Sequence, residues 1–512
     1  MVCAHRDTVA EGANLLAMSR PRLGIAAGNV LGAEAAAEVA LAGGNAVDAC
    51  LASAVMGWVA EPFFASIGGS GFVAVRSPDG TMEVIDGNNS MPETVPAEPG
   101  QGIKRVYLDY SDGMYTGIGA GSVGVPGILA AVHRAWERHG RIEWPAILAP
   151  AIRAARQGLP FPRTSAYYLS VTWDPIWSTY EEPRELFGHR GRPLIEGEPF
   201  VQSSLAEALD LIAHEGPQVF YAGDLAAELA KALADDGGFL GVSDLSSYEP
   251  FVRSPISSQM AGWKIESTPP PAIGGSVLVH MLALLEGLKL DDPVERLRAV
   301  AEAQHMAMSH RDQLFQEPDT IAADVDAEIH DTRRSSATTH TSSADADGYA
   351  CAVTESNGYG SGLVVHGMLL NNTLGEEELN PSGAHTLRPG ARCYSNMAPT
   401  IASGPDRIVA LGSPGATRIV GAVAQTLIRI ALDGDALAEA VGAPRSHLDL
   451  REAGETLCFE PGLPGDEVEG YLLRPYEEKH MYFGAVQAAS VDSDGRVDAA
   501  HDPRRSGGSA LI

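Results

Sequence analysis

Basic residues are scarce in this sequence of 512 residues. There are 36 lysines and arginines against 66 aspartates and glutamates, which gives a formal net charge of −30. A protein that binds nucleic acid neutralises phosphates with basic patches, and a protein that docks on an anionic membrane needs clusters of lysine or arginine. We therefore expect neither nucleic acid nor a membrane surface as a partner.

Cysteines are also few, and they lie far apart. Their number is odd and no CxxC pair occurs, with cysteines at positions Cys3, Cys50, Cys351, Cys393 and Cys458. Small disulfide frameworks and structural zinc sites both need closely spaced cysteines in larger numbers. The sequence therefore predicts neither, and we expect no metal and no other cofactor.

Long hydrophobic runs are missing as well. The longest uncharged apolar stretch, residues 49–60, is well short of the roughly 20 residues that a membrane span needs. Residues 1–22 carry Asp7 and only a short apolar patch before Arg20, which is unlike a signal peptide. These features predict a soluble, cytoplasmic protein.

Helical patterns fill much of the first half of the chain. Small and apolar residues at spacings of three and four predict a helix over 31–60, with a break at 43–45 and an end before Pro62. Two further regions, 127–158 and 203–245, have the same largely helical pattern. The chain is long enough for a sizeable core.

Strand patterns begin at residue 67 and dominate after residue 337. Residues 67–75 predict a glycine turn that enters a strand, and residues 82–85 predict the returning strand. Between the two halves, residues 331–345 are polar and rich in serine and threonine. Composition alone favours a solvated linker there.

Two motifs resemble ligand sites but lack essential parts. Residues 119–124 match GxGxxG, with Glu143 about twenty residues on, but no convincing strand precedes them and Pro126 follows closely. Residues 345–348 begin like a calcium loop, yet Ser356 stands where the twelfth-position glutamate is required. We expect no dinucleotide site, and a tight turn at 345–348.

A series of ordered motifs runs from about residue 24 to the C-terminus. They are TTHTSSADADGYACAVT at 338–354, AGGNAVDA at 42–49, EP at 61–62, IGGSGF at 67–72, GVPG at 124–127, PAI at 150–152, PPPAIGG at 269–275, LNN at 370–372, MAPTI at 397–401, GSPG at 412–415 and DPRR at 502–505. Together they resemble the gamma-glutamyltranspeptidase family, and the resemblance covers nearly the whole chain.

The resemblance implies an α+β fold, the four-layer αββα sandwich of N-terminal-nucleophile hydrolases. It also implies that the chain cuts itself between Ala337 and Thr338, which leaves fragments 1–337 and 338–512 as a heterodimer that forms one domain. The Thr338 hydroxyl would attack the carbonyl of Ala337. The α-amine freed on Thr338, with an ordinary pKa of about 7.7–8.0, can then act as the base.

Other site residues follow from the resemblance position by position. Gly415 and Ala416 take the place of two oxyanion-hole glycines, whose backbone N–H groups stabilise the tetrahedral oxygen. The hydroxyls of Thr354 and Ser356 are implied to hold the amine of the nucleophile and orient its Oγ1. Substrate contacts are implied for a further set, with ordinary loop hydrogen bonding as the alternative for the last two: Asn88, Asn357, Glu376, Ser395 and Asn396.

The chain departs from the family pattern where a glutamyl group would bind. Asn88 stands in place of an arginine that clamps the γ-glutamyl α-carboxylate, and an amide cannot replace a bidentate guanidinium. Gly375 and Glu376 stand where two aspartates are common. We therefore expect a small acyl substrate other than glutathione. Similar family branches hydrolyse oxamate-type amides or cleave a carbon–carbon bond beside an oxalyl-type group in natural-product biosynthesis.

Two alternatives stay open. The chain could be a true glutathione hydrolase or transpeptidase whose arginine comes from elsewhere, such as Arg105 or Arg392. It could also be an uncleaved, non-catalytic relative that binds or scaffolds. Thr338 and the motif at 412–415 argue against the second alternative, and Asn88 argues against the first.

Overall fold

The computed structural model describes residues 20–109, 113–309, 311, 337–451 and 454–512. The expectation that the N-terminus is no signal peptide rests largely on residues 1–19, which lie outside the described residues together with Cys3. Residues 331–336 of the polar stretch lie outside them as well.

The helices lie mainly in the first 310 residues. In chain order they are α1 (Val30–Leu41), α2 (Ala46–Ala60), α3 (Ile128–His139), α4 (Trp144–Gln157), α5 (Arg163–Thr172), α6 (Glu181–Phe187), α7 (Ser203–Glu215), α8 (Gln218–Tyr221), α9 (Asp224–Asp235), α10 (Val242–Ser246), α11 (Ile273–Leu285), α12 (Pro293–Ser309), α13 (Arg418–Ile428) and α14 (Leu437–Gly442). None of the helices in the described part of the chain is long and apolar enough to cross a membrane.

The strands are short and spread over the whole chain. In order they are β1 (Leu23–Ala27), β2 (Ser70–Arg76), β3 (Met82–Gly87), β4 (Lys104–Leu108), β5 (Met114–Ile118), β6 (Leu159–Pro160), β7 (Gly188–His189), β8 (Arg192–Pro193), β9 (Pro199–Phe200), β10 (Phe251–Arg253), β11 (Ile256–Met260), β12 (Trp263–Ser267), β13 (Ala337–Asp345), β14 (Ala350–Gly358), β15 (Val364–Val365), β16 (Met368–Leu369), β17 (Thr400–Ser403), β18 (Arg407–Gly412), β19 (Ser446–Arg451), β20 (Gly454–Phe459), β21 (Leu472–Pro475), β22 (Gln487–Asp492), β23 (Val497–Ala500) and β24 (Gly508–Leu511).

Two large antiparallel sheets form the centre. The first has seven strands in the order β10-β3-β2-β14-β13-β1-β24, and the second has six in the order β11-β12-β17-β18-β22-β23. Side chains of a strand alternate between its two faces. In β2, Phe72 and Ala74 pack on Ile401 and Ala410 of the second sheet, so the two sheets are stacked face to face.

Helices cover the outer face of each sheet. Val73 of β2 belongs to the apolar cluster that contains the buried face of α2 and much of α3 and α4. On the other side, Val409 and Leu411 of β18 pack with Leu278 of α11 and Val423 of α13. The layers are therefore helix, sheet, sheet, helix, which is the predicted αββα architecture.

The predicted break at 43–45 is confirmed between α1 and α2, and its cause is a cap. The Asn45 side chain accepts a hydrogen bond from the Asp48 backbone N–H at 3.0 Å, and the Asp48 carboxylate accepts one from the Asn45 N–H at 3.0 Å. This reciprocal pair satisfies two N–H groups that would otherwise lack partners at the start of α2.

The linker that composition favours at 331–345 is corrected for its described part. Residues 337–345 form β13, which is buried along its whole length. Burial is tolerable because the hydroxyls have partners. Thr341 donates to the Ala26 carbonyl at 3.1 Å, and Ser343 donates to the Ala46 carbonyl. The turn predicted at 345–348 is confirmed, because the Gly348 N–H donates to the Asp345 carbonyl at 3.0 Å.

Strands from before and after residue 338 alternate within the first sheet. β13 and β14 lie between β2 and β1, and β1 pairs with both β13 and β24. The two segments 1–337 and 338–512 therefore share one sheet and one core.

Candidate active site

The strand register brings Thr338 opposite Ser356. Thr338 is the second residue of β13, its side chain is 1% exposed, and it pairs with Ser356 of β14. The register shifts between Ala337 and Thr338, because Ala337 pairs with Gly358 rather than with Asn357. A bulge re-aims side chains locally, and here it lies at the peptide bond that the resemblance marks for cleavage.

The Ser356 hydroxyl links the predicted nucleophile to this bond. Ser356 Oγ donates to the Ala337 carbonyl oxygen at 2.8 Å and accepts from Thr338 Oγ1 at 3.4 Å. The Gly358 N–H also donates to it, at 3.1 Å. One hydroxyl therefore polarises the Ala337 carbonyl and contacts the group that would attack it.

The other predicted hydroxyl, Thr354, does not reach the nucleophile. It lies opposite His340, and its Oγ1 is 2.8 Å from His340 Nδ1. His340 Nε2 lies 2.8 Å from Ser342 Oγ. The register gives Thr354 a buried imidazole as partner, and its role towards the nucleophile stays a prediction. Burial lowers the pKa of His340 to about 3, so this histidine is neutral in the folded protein.

Thr338 and Ser356 line a small cavity of about 20 Å³, room for about one water molecule. Four predicted substrate-binding residues share it: Asn88, Glu376, Ser395 and Asn396. The remaining lining residues were not predicted: Ser70, Thr373, Leu379, Tyr394, Met397 and Ile419. Among the described residues, no lysine, arginine or histidine lines it, and Glu376 is its one acidic side chain.

Two hydrogen bonds hold Asn88, the residue that the resemblance puts in the place of an arginine. Its Nδ2 donates to the Cys393 carbonyl at 2.5 Å, and its backbone N–H donates to Asp86 at 2.9 Å. The two arginines considered as replacements lie elsewhere. Arg105 pairs with Glu377 at 2.6 Å, and Arg392 donates to the Glu249 carbonyl. Neither lines the Thr338 cavity.

Ser395 and Asn396 are positioned by different contacts. The Ser395 carbonyl accepts from the Ile273 N–H at 2.7 Å, which ties it to the start of α11. Asn396 Nδ2 donates to Glu378 at 2.7 Å, and Arg311 donates to the same carboxylate at 3.0 Å. Arg311 was missed by sequence reasoning, since nothing in its local pattern points to residues 67 positions away.

Asn357 lies apart from the other predicted substrate-binding residues, and its substrate contact stays a prediction. It is fully buried, it does not line the Thr338 cavity, and neither amide atom has a hydrogen-bond partner in the described structure. The cause is the bulge, because Asn357 is the extra residue between the pairs made by Ser356 and Gly358.

Gly415 and Ala416 form the turn that leads into α13. Both have positive φ, +130° and +50°, and their backbone N–H groups donate to no group in the described part of the chain. Neither residue lines the Thr338 cavity, although Ile419, one helical turn later, does. The turn therefore has two N–H donors available, as an oxyanion hole requires.

A family model described as gamma-glutamyltranspeptidase matches residues 32–512. The chain belongs to the gamma-glutamyltranspeptidase family. It is 29% identical to a glutathione hydrolase proenzyme of Escherichia coli K12, over 90% of this chain and 87% of the relative. It is 30% identical to the acylase ACY 1 proenzyme of Pseudomonas sp. SE83, over 92% and 90%.

Solved structures agree with this assignment. A cephalosporin acylase from Bacillus halodurans has the same fold, with a TM-score of 0.79 over 96% of each chain at 24% identity. The predicted N-terminal-nucleophile hydrolase fold is confirmed, and this gamma-glutamyltranspeptidase family member is a hydrolase of that class. The relatives include both glutathione hydrolases and acylases, so they leave the substrate open.

The family's C-terminal motif at 502–505 has a physical role in this gamma-glutamyltranspeptidase member. Arg505 Nη1 donates to the carbonyl of Thr338 at 2.9 Å. Buried ion pairs of Arg504 with Asp502 and Glu460 hold the segment in place. The motif alone does not predict this role, since only the folded chain brings Arg505 to Thr338, 167 positions earlier.

The outer face of β13 carries a second buried polar cluster. Thr339 Oγ1 and Asn29 Nδ2 both donate to Glu61, at 2.8 Å and 2.7 Å. Trp58 Nε1 donates to Glu355 at 2.7 Å. Burial raises the pKa of Glu355 to about 8, opposed by the Trp58 hydrogen bond and increased by the charge of Glu61. Sequence reasoning missed this cluster, and no His, Cys, Asp or Glu grouping in the described residues has the make-up of a metal site.

Proposed function

We propose that the chain is a proenzyme that cleaves itself between Ala337 and Thr338. Thr338 Oγ1 adds to the Ala337 carbonyl carbon, the C–N bond breaks, and the hydroxyl proton passes to the departing amine. Water then hydrolyses the resulting ester, which leaves a carboxylate on Ala337 and a free α-amine on Thr338. The contacts of Ser356 with the Ala337 carbonyl and with Thr338 support this step.

The freed amine of Thr338 then serves as the base in acyl transfer. His340 is an unsuitable base, because both ring nitrogens have partners and burial holds its pKa at about 3. A substrate carbonyl attacked by Thr338 Oγ1 develops negative charge on its oxygen, and the N–H groups of Gly415 and Ala416 stabilise that charge.

The substrate is a small acyl amide other than glutathione, and one observation carries this proposal. No cation lines the Thr338 cavity among the described residues, and Asn88 is already engaged with the Cys393 carbonyl. The nearby Arg311 is already paired with Glu378. A free α-carboxylate would therefore lie beside Glu376 with no unpaired cation among the described lining residues, at a cost of several kcal/mol. The acylase among the relatives is consistent with this choice.

Glutathione hydrolysis is the second candidate, and Glu376 favours it. Its carboxylate is buried at 5% exposure and lines the cavity. There it could bind the α-ammonium group of a γ-glutamyl donor. The relatives named glutathione hydrolase support this alternative.

The chemical class of the acyl group and the cellular role of the enzyme belong to the same proposal. Short polar acyl groups without a free carboxylate suit a small cavity lined by hydroxyl and amide side chains, and the bond cleaved beside them is an amide or a carbon–carbon bond. A cytoplasmic role in secondary-metabolite biosynthesis is consistent with the four described cysteines, which are all buried free thiols.

Intact mass and acyl-anilide turnover together test the proposal. Wild type should separate into fragments of 337 and 175 residues, about 35 and 18 kDa in proportion to length, while Thr338→Ala stays whole. Processed enzyme should turn over oxamyl-4-nitroanilide, whose acyl group is uncharged, at least about tenfold faster than the γ-glutamyl compound. Asn88→Arg should shift that ratio towards γ-glutamyl.

Two results would overturn it. A wild-type chain that stays at 53.7 kDa would favour the non-catalytic relative. Preferred turnover of the γ-glutamyl compound by wild type would favour the glutathione hydrolase.

A further inference from the structure

Helix α2 ends directly behind the nucleophile strand β13. In its last turn, Trp58 Nε1 donates to Glu355 Oε2 at 2.7 Å. Glu61 caps the same end of α2, and its Oε2 accepts from Thr339 Oγ1 at 2.8 Å. Residues three apart on a helix lie on one face, so these two buried side chains reach β13 and β14 together. We call Trp58 and Glu61 the α2 clamp.

The α2 clamp holds the sequence neighbours of the reacting pair. Thr339 directly follows Thr338 in the chain. Glu355 directly precedes Ser356, and it pairs with Thr339 in the register of β13 and β14. Successive side chains of a strand point to opposite faces, so the clamp holds both strands from behind while Thr338 and Ser356 line the cavity. It acts one residue away from each of these two hydroxyls.

Glu61 occupies a position where a carboxylate is costly. It is 2% exposed, and it lies at the C-terminal end of α2, where the helix dipole disfavours negative charge. A second buried acid lies close by, since burial and, to a smaller extent, the charge of Glu61 raise the pKa of Glu355 to about 8. A residue that breaks several local rules at once is typical of a functional site.

The contact of Glu61 with β13 depends on a close approach of the backbone at Gly28. A methyl group at Gly28 would overlap Thr339 Oγ1 and would lie 3.1 Å from Glu61 Oε2. The Gly28 N–H donates to the His340 carbonyl at 3.1 Å, and Asn29 Nδ2 gives the Glu61 carboxylate its second donor at 2.7 Å. β13 is therefore fixed at the two residues that follow the nucleophile.

We propose that the α2 clamp positions Thr338 for its attack on the Ala337 carbonyl. By holding the next residue on each strand, it sets the separation between the hydroxyls of Thr338 and Ser356. That contact is a long one, 3.4 Å, and a misplacement of about 1 Å can cost a reaction a hundredfold in rate. Neither Trp58 nor Glu61 lines the Thr338 cavity, so both are positioning residues. This inference rests on the proposed self-cleavage and adds the residues that align it.

The rate of self-cleavage in conservative variants tests the α2 clamp. Thr339→Val keeps the shape of the side chain but removes the hydroxyl that Glu61 holds, and it should slow cleavage about tenfold. Thr339→Ser keeps the hydroxyl and should bring the rate back to within about twofold of wild type. Trp58→Phe removes the donor to Glu355 and should slow cleavage about threefold to fivefold. Loss of full-length chain on denaturing gels after purification measures each rate.

Thr341→Val is the matched control, because it makes the same exchange on the same face of β13. Its hydroxyl donates to the Ala26 carbonyl at 3.1 Å, so the variant also loses a buried hydrogen bond, but three residues away from Thr338. Urea unfolding, measured with Thr338→Ala added so that every chain stays whole, should show similar losses of stability for Thr339→Val and Thr341→Val. Only Thr339→Val should slow cleavage.

Four results would overturn the α2 clamp. They are cleavage of Thr339→Val at the wild-type rate, equal slowing in Thr341→Val, no recovery in Thr339→Ser, and cleavage of Trp58→Phe at the wild-type rate. A wild-type chain that stays whole would overturn the proposed self-cleavage and the clamp together. Any of the four results beside normal cleavage of wild type would overturn the clamp alone, so the two failures are distinguishable.

Discussion

The two faces of β13 carry the same kinds of residue but have different partners. Thr338, His340 and Ser342 face the second sheet, where they meet hydroxyls of β14 and the small cavity. Thr339, Thr341 and Ser343 face α1 and α2, where they donate to Glu61 and to backbone carbonyls. We call these the cavity face and the helix face.

This difference shows where reactivity comes from. On the helix face each hydroxyl is a donor to a strong acceptor, which anchors the strand and leaves the hydroxyl no freedom. On the cavity face, Thr338 contacts a serine that itself polarises a carbonyl. Residue type is shared between the faces, and the group opposite decides whether a hydroxyl anchors the fold or is placed for attack.

The largest effect should come from removing the cavity-face partner. We expect Ser356→Ala to slow self-cleavage about 100-fold or more, because the Ala337 carbonyl loses the donor that stabilises its developing charge. The rate can be followed as loss of full-length chain on denaturing gels after purification.

Ser343→Ala is the matched control on the helix face. It removes the donor to the Ala46 carbonyl and should lower the free energy of unfolding by about 1 kcal/mol, with cleavage at the wild-type rate. Equal cleavage rates in both variants would contradict the distinction between the faces.

A smaller effect is expected from Glu355 on the helix face. Its pKa is raised to about 8 from an ordinary 4.5, so the folded chain keeps a proton that the unfolded chain loses. The stability contributed by Glu355 should therefore be complete below about pH 4.5 and should decline as the pH rises to about 8. Urea unfolding at several pH values measures this slope.

Glu355→Gln mimics the protonated acid and should remove that part of the pH dependence. Glu34→Gln, at an exposed position of α1, serves as the control and should keep the wild-type slope. A Glu355→Gln protein with an unchanged slope would show that this carboxyl does not hold its proton.

The smallest effect should come from Ala416→Gly, in the turn that leads into α13. A φ of +50° costs an L-residue about 1–2 kcal/mol, which glycine avoids at the expense of a more flexible unfolded chain. The free energy of unfolding should change by less than about 1 kcal/mol, with self-cleavage retained. Loss of cleavage in this variant would show that the Ala416 methyl group matters, in addition to its backbone.

Much of the fold could be predicted because its signals are local. The break between α1 and α2 follows from glycines and an asparagine cap, and β2 follows from a glycine turn before an apolar run. The polar composition of β13 led to the wrong prediction of a solvated linker. A strand rich in serine and threonine is stable inside a protein only when distant groups accept its hydrogen bonds. Those acceptors are not visible in the local sequence.

The structure brings several predicted site residues to one cavity and separates others. Ser356 and Thr354 both lie on the cavity face, two residues apart, so periodicity alone does not tell which of them meets Thr338. The bulge at Asn357 and the register decide in favour of Ser356. Arg311 and Arg505 join the site from distant parts of the chain, which no local pattern encodes.

The alternation of strands from before and after residue 338 has a consequence for the lifetime of the molecule. Before the cut, a single chain folds by itself, so its folding does not depend on protein concentration. After a cut at the start of β13, the same sheet is shared by two separate polypeptides, because β1 lies between β13 and β24. Reassembly from the unfolded state then requires two partners to meet, which makes it concentration-dependent. Self-cleavage would thus make refolding of the molecule a reaction of two polypeptides instead of one.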